Sequence, residues 1–114
     1  MPWRVRLSGP ALRDFEGIIE WTAREFGSAQ AERYEALIAA AFDRLREGPF
    51  QPLVQASGAG EDIRCLAVMD GRRRARHVVF FTWTSGPDQG RVVILRILHA
   101  AMDPSRHLGP GDPA

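Results

Sequence analysis

Apolar positions along this chain change their period several times. From Trp3 to Ser8 they alternate with polar ones, with Trp3, Val5 and Leu7 set against Arg4, Arg6 and Ser8, which predicts a short half-buried strand. Leu12, Phe15, Ile18, Ile19, Thr22 and Phe26 then recur at three- and four-residue spacing, as on an amphipathic helix. Ser8-Gly9-Pro10 is its entry signal and Gly27 its stop. Ser28 reads as the cap of a second helix that carries Ala31, Tyr34, Leu37, Ile38, Ala41, Phe42 and Leu45 on one face and ends at Gly48-Pro49. So tight a break between two amphipathic helices predicts an αα-hairpin.

Residues 49–60 have no period and read as a connector. Three strand-like runs follow, at 63–69, 76–84 and 91–98, separated by the turn compositions Asp70-Gly71 and Ser85-Gly-Pro-Asp-Gln-Gly90. They predict an antiparallel meander. Asp103-Pro104 offers an N-cap and a first-turn proline for a short C-terminal helical turn. The predicted architecture is α+β in the order β-α-α-β-β-β, with a helical hairpin packed on one face of a four-stranded antiparallel sheet. Residues 1–108 are expected to form one domain and 109–114 a flexible tail.

The sheet poses a covering problem. Strict alternation puts Val92, Ile94, Arg96 and Leu98 on one face of the last strand, and Val93, Leu95, Ile97 and His99 on the other. The preceding strand divides Val79, Phe81 and Trp83 from Val78 and Phe80 in the same way. Two helices cover one face only, so the second is expected to need a partner protein or a second copy of the chain.

Composition narrows the function classes. At 114 residues and a net charge of +1, one ordinary globular domain is expected, with no global electrostatic drive toward nucleic acid or anionic membrane. All 15 basic residues are arginine, which codon bias in a GC-rich genome explains. Cys65 is the single cysteine, so no intrachain disulfide can form. It reads as a buried small hydrophobe, and the expected location is a reducing cytoplasm. The sequence shows no basic-then-apolar stretch and no apolar run of membrane-spanning length, so neither a signal peptide nor a membrane span is expected.

The residue 96–108 segment holds the densest candidate chemistry, because a buried strand there delivers Arg96 and His99 to its end, with Met102 and Asp103 just beyond. No phosphate-cradling glycine loop or nucleophile elbow occurs. His77, His99 and His107 lack metal-ligand spacing, so neither metal nor cofactor is expected. Arg72-Arg73-Arg74 with Arg76 reads as a solvated hairpin or a contact for phosphates or an acidic partner. A metal-free ribonuclease would use His99 as base and Arg64 and Arg96 as phosphate clamps. Tyr34, the one tyrosine, falls on the helix stripe away from the strand ends and reads as structural.

Three segments resemble a known family: Val5-Arg-Leu-Ser-Gly-Pro-Ala-Leu-Arg-Asp-Phe15, Phe26-Gly-Ser-Ala-Gln-Ala-Glu-Arg-Tyr34 and Arg96-Ile-Leu-His-Ala-Ala-Met-Asp-Pro-Ser-Arg-His-Leu108. Together they are similar to the RelE/ParE superfamily of bacterial type II toxin–antitoxin toxins, and to its ParE (plasmid stabilisation) branch in particular. The resemblance implies the same fold and a cognate, ParD-like antitoxin. It implies inhibition of DNA gyrase by direct binding rather than enzymatic action, with a homodimer or a hetero-oligomer with antitoxin as the assembled form. No membrane association is expected, and no sequence-specific nucleic-acid binding by the chain alone. The alternatives are a ribosome-dependent mRNA endonuclease, as among RelE-like relatives, and a non-toxic binding module. On this reading Arg64, Arg96, His99, Met102 and Asp103 engage the target, while Val79, Phe81, Trp83 and Arg96 engage the antitoxin. If the protein is a nuclease, Arg64, Arg96 and His99 are its catalytic set.

Overall fold

The computed structural model describes residues 2–87 and 89–108, so the expected tail at 109–114 lies outside the described residues. The elements run β1 (Arg4–Leu7), α1 (Gly9–Phe26), α2 (Ser28–Arg44), a 3-10 turn (Leu45–Glu47), β2 (Gln55–Ala56), β3 (Arg64–Asp70), β4 (Arg73–Thr84), β5 (Arg91–His99) and α3 (Pro104–Leu108). The α+β class, the helical hairpin and the meander are as the periodicity predicts.

The sheet has five strands rather than four, in the order β1-β5-β4-β3-β2. Its β1–β5 pairing is parallel, because the chain crosses from one edge of the sheet to the other through the helical hairpin before the meander returns to β1. The fifth strand, β2, is a two-residue bridge from the connector onto Arg64 and Cys65.

Ser8 opens α1 by accepting a hydrogen bond from the Ala11 amide at 3.2 Å, and its hydroxyl donates to the Leu95 carbonyl at 3.0 Å. One cap therefore fixes both a helix start and its seat on β5. Gly27, at φ 92°, ends α1 and itself precedes the first residue of α2. Ser28, expected as the cap of that helix, is its first turn instead; glycine takes the corner because a side chain is strained at that φ.

The main core lies between the hairpin and the sheet. Ala11, Ile38, Ala41 and Leu45 meet Leu66, Val68, Val79, Phe81, Val92, Ile94 and Ile97, with Phe15, Ile19, Tyr34 and Phe42 packed around them. Two members of the predicted α1 stripe, Leu12 and Phe26, are exposed.

Strict alternation fails in β5. Phe80 pairs with Arg96 but Phe81 with Ile94, so Leu95 is an inserted bulge residue. The insertion flips the faces beyond it: Ile97 joins Val92 and Ile94 under the helices, and Leu98 joins Leu95 on the opposite side. There Phe80, Leu95 and Leu98 are buried beneath Leu108 of α3, with Ala59 and Ile63 of the connector beside them. The chain itself thus covers part of the second face, while Val78 and Val93 stay half-exposed.

Candidate functional site

The expected target-binding residues do not form one cluster. Arg64 begins β3 level with Phe81, which in turn pairs with Ile94. That sets it two strands from β5, about 10 Å sideways, and four β4 residues short of the His77–His99 level, about 13 Å along the strand. Its guanidinium lies over the Phe50 ring at 5.6 Å, Phe50 packs edge-on against Trp83, and the Arg64 Nε is buried without a hydrogen-bond partner.

Arg96 is tied into the fold. Its Nε donates to Asp14 Oδ2 at 2.7 Å and its Nη2 to Asp14 Oδ1 at 3.1 Å, a bidentate ion pair between β5 and α1. The Asp14 Oδ2 also accepts the Ile97 amide at 2.9 Å. β1 stops opposite Ile94, so the edge of β5 beyond it lacks a strand; Ser8 and Asp14 supply the missing partners from α1.

His99 sits at the end of β5, opposite His77 of β4, and the two rings meet edge to face with centroids 5.6 Å apart. The Nδ1 of His99 accepts the Ala101 amide at 3.1 Å, and Met102 is exposed on the turn that follows. Asp103 accepts the Ser105 hydroxyl and amide, which hold its carboxyl below the usual range and start α3.

Tyr34 requires a correction, since α2 lays its phenol against the strand ends rather than away from them. Its hydroxyl is 2.7 Å from His77 Nδ1, which makes a continuous Tyr34–His77–His99 chain. Burial pushes the phenol pKa up, and burial together with His99 and Arg76 pulls His77 down to about 4, so His77 is neutral at pH 7. The stripe showed that Tyr34 faces inward; only the reach of its hydroxyl to His77 reveals what it meets.

The residues expected to bind the antitoxin are placed unequally. Val79 and Phe81 have no accessible surface, lying in the main core, so they support a surface without forming one. Trp83 is half-buried beside Phe50.

Sequence reasoning missed a groove of about 550 Å³ between the hairpin turn and the start of β4. Trp21 and Phe26, both exposed and stacked edge to face at 5.7 Å, form its apolar side. Tyr34 and His77 form its floor, and Arg73, Arg74 and Arg76 its basic wall. Arg33 also lines it, but is held by both oxygens of Asp70 at 2.7–2.8 Å. β4 begins at Arg73, three residues earlier than the apolar run suggested, so the basic run belongs to a strand and is not a loose turn. The signal was present in Trp21, an aromatic off the apolar stripe.

The fold is thus a helical hairpin against a mixed sheet whose last strand ends in a polar edge. Residues 5–104 match the family described as the ParE toxin of the type II toxin–antitoxin system parDE. The chain is 33% identical over 99 residues to Toxin ParE of Escherichia coli, an alignment that spans 85% of this chain and 84% of that one. A solved structure, the chromosomal ParDE TA system from P. aeruginosa, has the same fold, with a TM-score of 0.68 at 18% identity over 85% of this chain and 95% of that one. The chain belongs to the ParE toxin family and is the toxin component of a type II toxin–antitoxin system.

Proposed function

We propose that this toxin acts by binding DNA gyrase through the edge formed by His99, Met102 and Asp103, without cutting RNA. The observation that carries this reading is the engagement of Arg96 by Asp14. A ribonuclease needs cations converging on one phosphate. Here Arg96 is neutralised within the fold, and Arg64 stands over Phe50, far from His99. A binding edge needs exposed groups in a fixed frame, and Met102 and His99 meet that requirement.

The antitoxin, ParD-like, is proposed to lay an acidic amphipathic segment in the Trp21–Phe26 groove. Apolar anchors would fill the aromatic side, and carboxylates would meet Arg73, Arg74 and Arg76. Trp83 and Arg96 remain candidates for the same partner at the far ends of the interface. A homodimer of the free toxin, or a hetero-oligomer with antitoxin, is part of the same proposal.

The Tyr34–His77–His99 chain favours one second reading, an mRNA endonuclease with His99 as base. One experiment separates the two. Purified toxin is added to a gyrase supercoiling reaction and, in parallel, to translating ribosomes. Loss of supercoiling with intact mRNA is expected, and folded His99→Gln should keep most of that inhibition because a hydrogen bond survives the change. Cleaved mRNA with unaffected supercoiling, abolished by His99→Gln, would establish the nuclease instead.

A further inference from the structure

β1 is one edge of the sheet, and its outer side is open. Register sets Arg4 of β1 directly beside Arg91 of β5. Like charges on neighbouring strands repel, and no carboxylate among the described residues separates them. Arg6 stands two residues along β1, on the same face as Arg4. Arg46 joins the group from the 3-10 turn, brought there by the Trp3 amide donating to the Arg46 carbonyl at 2.8 Å. All four arginines are exposed. Arg6 and Arg91 form no ion pair among the described residues, and Arg46 has only the loose contact with Asp43 at 3.8 Å, both side chains being largely solvated. Arg4 is oriented by Gln89, whose Oε1 accepts its Nε–H at 2.8 Å. The result is a shallow basic depression of about 790 Å³.

Trp3 makes the arrangement rigid. A Cβ at Gly90 would come within 2.3 Å of its ring, and one at Gly48 within 2.7 Å of its Nε1, so the indole is wedged between two glycines. An indole held this way belongs to the fold and not to a stacked base. The ligand of this edge is therefore recognised by charge alone.

We infer that the β1 edge binds the phosphodiester backbone of duplex DNA through Arg4, Arg6, Arg46 and Arg91, without reading sequence. Guanidinium groups match phosphate oxygens in geometry as well as charge. A duplex presents about one negative charge per 1.7 Å, denser than a single strand, and a cluster of cations on a fixed backbone suits it. None of the four arginines lines the Trp21–Phe26 groove, so this surface is separate from the proposed antitoxin site. The inference extends the gyrase reading, because a toxin aimed at a DNA-handling enzyme would touch its substrate too. It is nevertheless a property of the isolated toxin and is tested without gyrase.

The test is fluorescence anisotropy of a labelled 20-base-pair duplex of arbitrary sequence with full-length toxin, across about 50–200 mM salt. Binding is expected to weaken with salt at a log–log slope of about −3 to −4, as four neutralised phosphates dictate. Arg4→Gln/Arg91→Gln, folded by circular dichroism, should bind at least tenfold more weakly with a slope shallower by about 2. Arg13→Gln/Arg24→Gln, an equal charge change on exposed α1 positions, should bind as wild type. Absence of binding, or equal losses in the two variants, overturns the inference. So does equal or tighter binding of a single strand, or displacement by polyglutamate as effective as by unlabelled duplex. Gyrase inhibition with no DNA binding would sink this inference and leave the proposed function standing.

Discussion

Asp14 of α1 grips Arg96 of β5 with both carboxylate oxygens, and one of them also accepts the Ile97 amide. Removing the carboxylate takes two charge-assisted hydrogen bonds from a half-buried guanidinium and one acceptor from the Ile97 amide. Asp14→Ala should therefore cost about 2–4 kcal/mol, which urea denaturation followed by circular dichroism would read. Arg96→Ala should cost less, since the carboxylate it leaves keeps the Ile97 amide as a donor. Equal stability of Asp14→Ala and wild type would show that the pair contributes nothing.

The wedge around Trp3 gives a second expectation. Gly90→Ala places a methyl group inside the indole, so strand and ring must separate, at about 1–3 kcal/mol. The conflict is with one side chain, so Trp3→Ala/Gly90→Ala should be destabilised by less than the sum of the single changes. A double-mutant cycle measures this directly, and an additive result would place the strain elsewhere.

Much of this fold is legible in the sequence, and the exceptions have physical causes. The α2 stripe is read correctly from Ala31 to Leu45, since each of its members is buried or packed against the core. On α1 the same spacing overreaches at Leu12 and Phe26, since periodicity reports which face a residue shares and not what covers it. Alternation identifies β1 as a strand but cannot name a partner 87 residues away, as Arg4 finds in Arg91. A single inserted residue, Leu95, reverses the faces of Ile97 and Leu98, and nothing in a run of branched apolar side chains marks where it falls. The site suffers most. Arg64, Arg96 and His99 were candidates by residue type, yet Asp14, Phe50, Tyr34 and His77, which decide their states, come from other elements.

Trp21 and Phe26 pack edge to face and are each about half exposed. Truncating either to alanine should cost no more than about 1 kcal/mol of stability. If the groove holds the antitoxin, the same changes should weaken the complex by about 2 kcal/mol or more, as aromatic anchors at interfaces do. Calorimetric titration of cognate antitoxin into each variant would measure this. Unaltered affinity in both would remove the groove from the interface.

His77 links stability to pH, and the sign follows from its neutral state. Its folded pKa is about 4, lowered first by burial and then by His99 and Arg76, with Asp14 opposing, against about 6.5 for a free imidazole. Between those values the unfolded chain holds a proton that the folded chain refuses, so the unfolded state gains as pH falls. The contribution of His77 is complete above about pH 6.5, declines through pH 5 and is exhausted near pH 4. The ring is partly solvated, which reduces the effect below what the shift alone would give. Urea midpoints of wild type and His77→Gln at pH 7 and pH 4.5 provide the measurement. His77→Gln keeps a hydrogen-bonding group for Tyr34 but cannot titrate, so its midpoint should fall less on acidification than that of wild type. Equal falls would mean that carboxylates elsewhere carry the acid sensitivity and that the neutral Tyr34–His77 pair is not part of it.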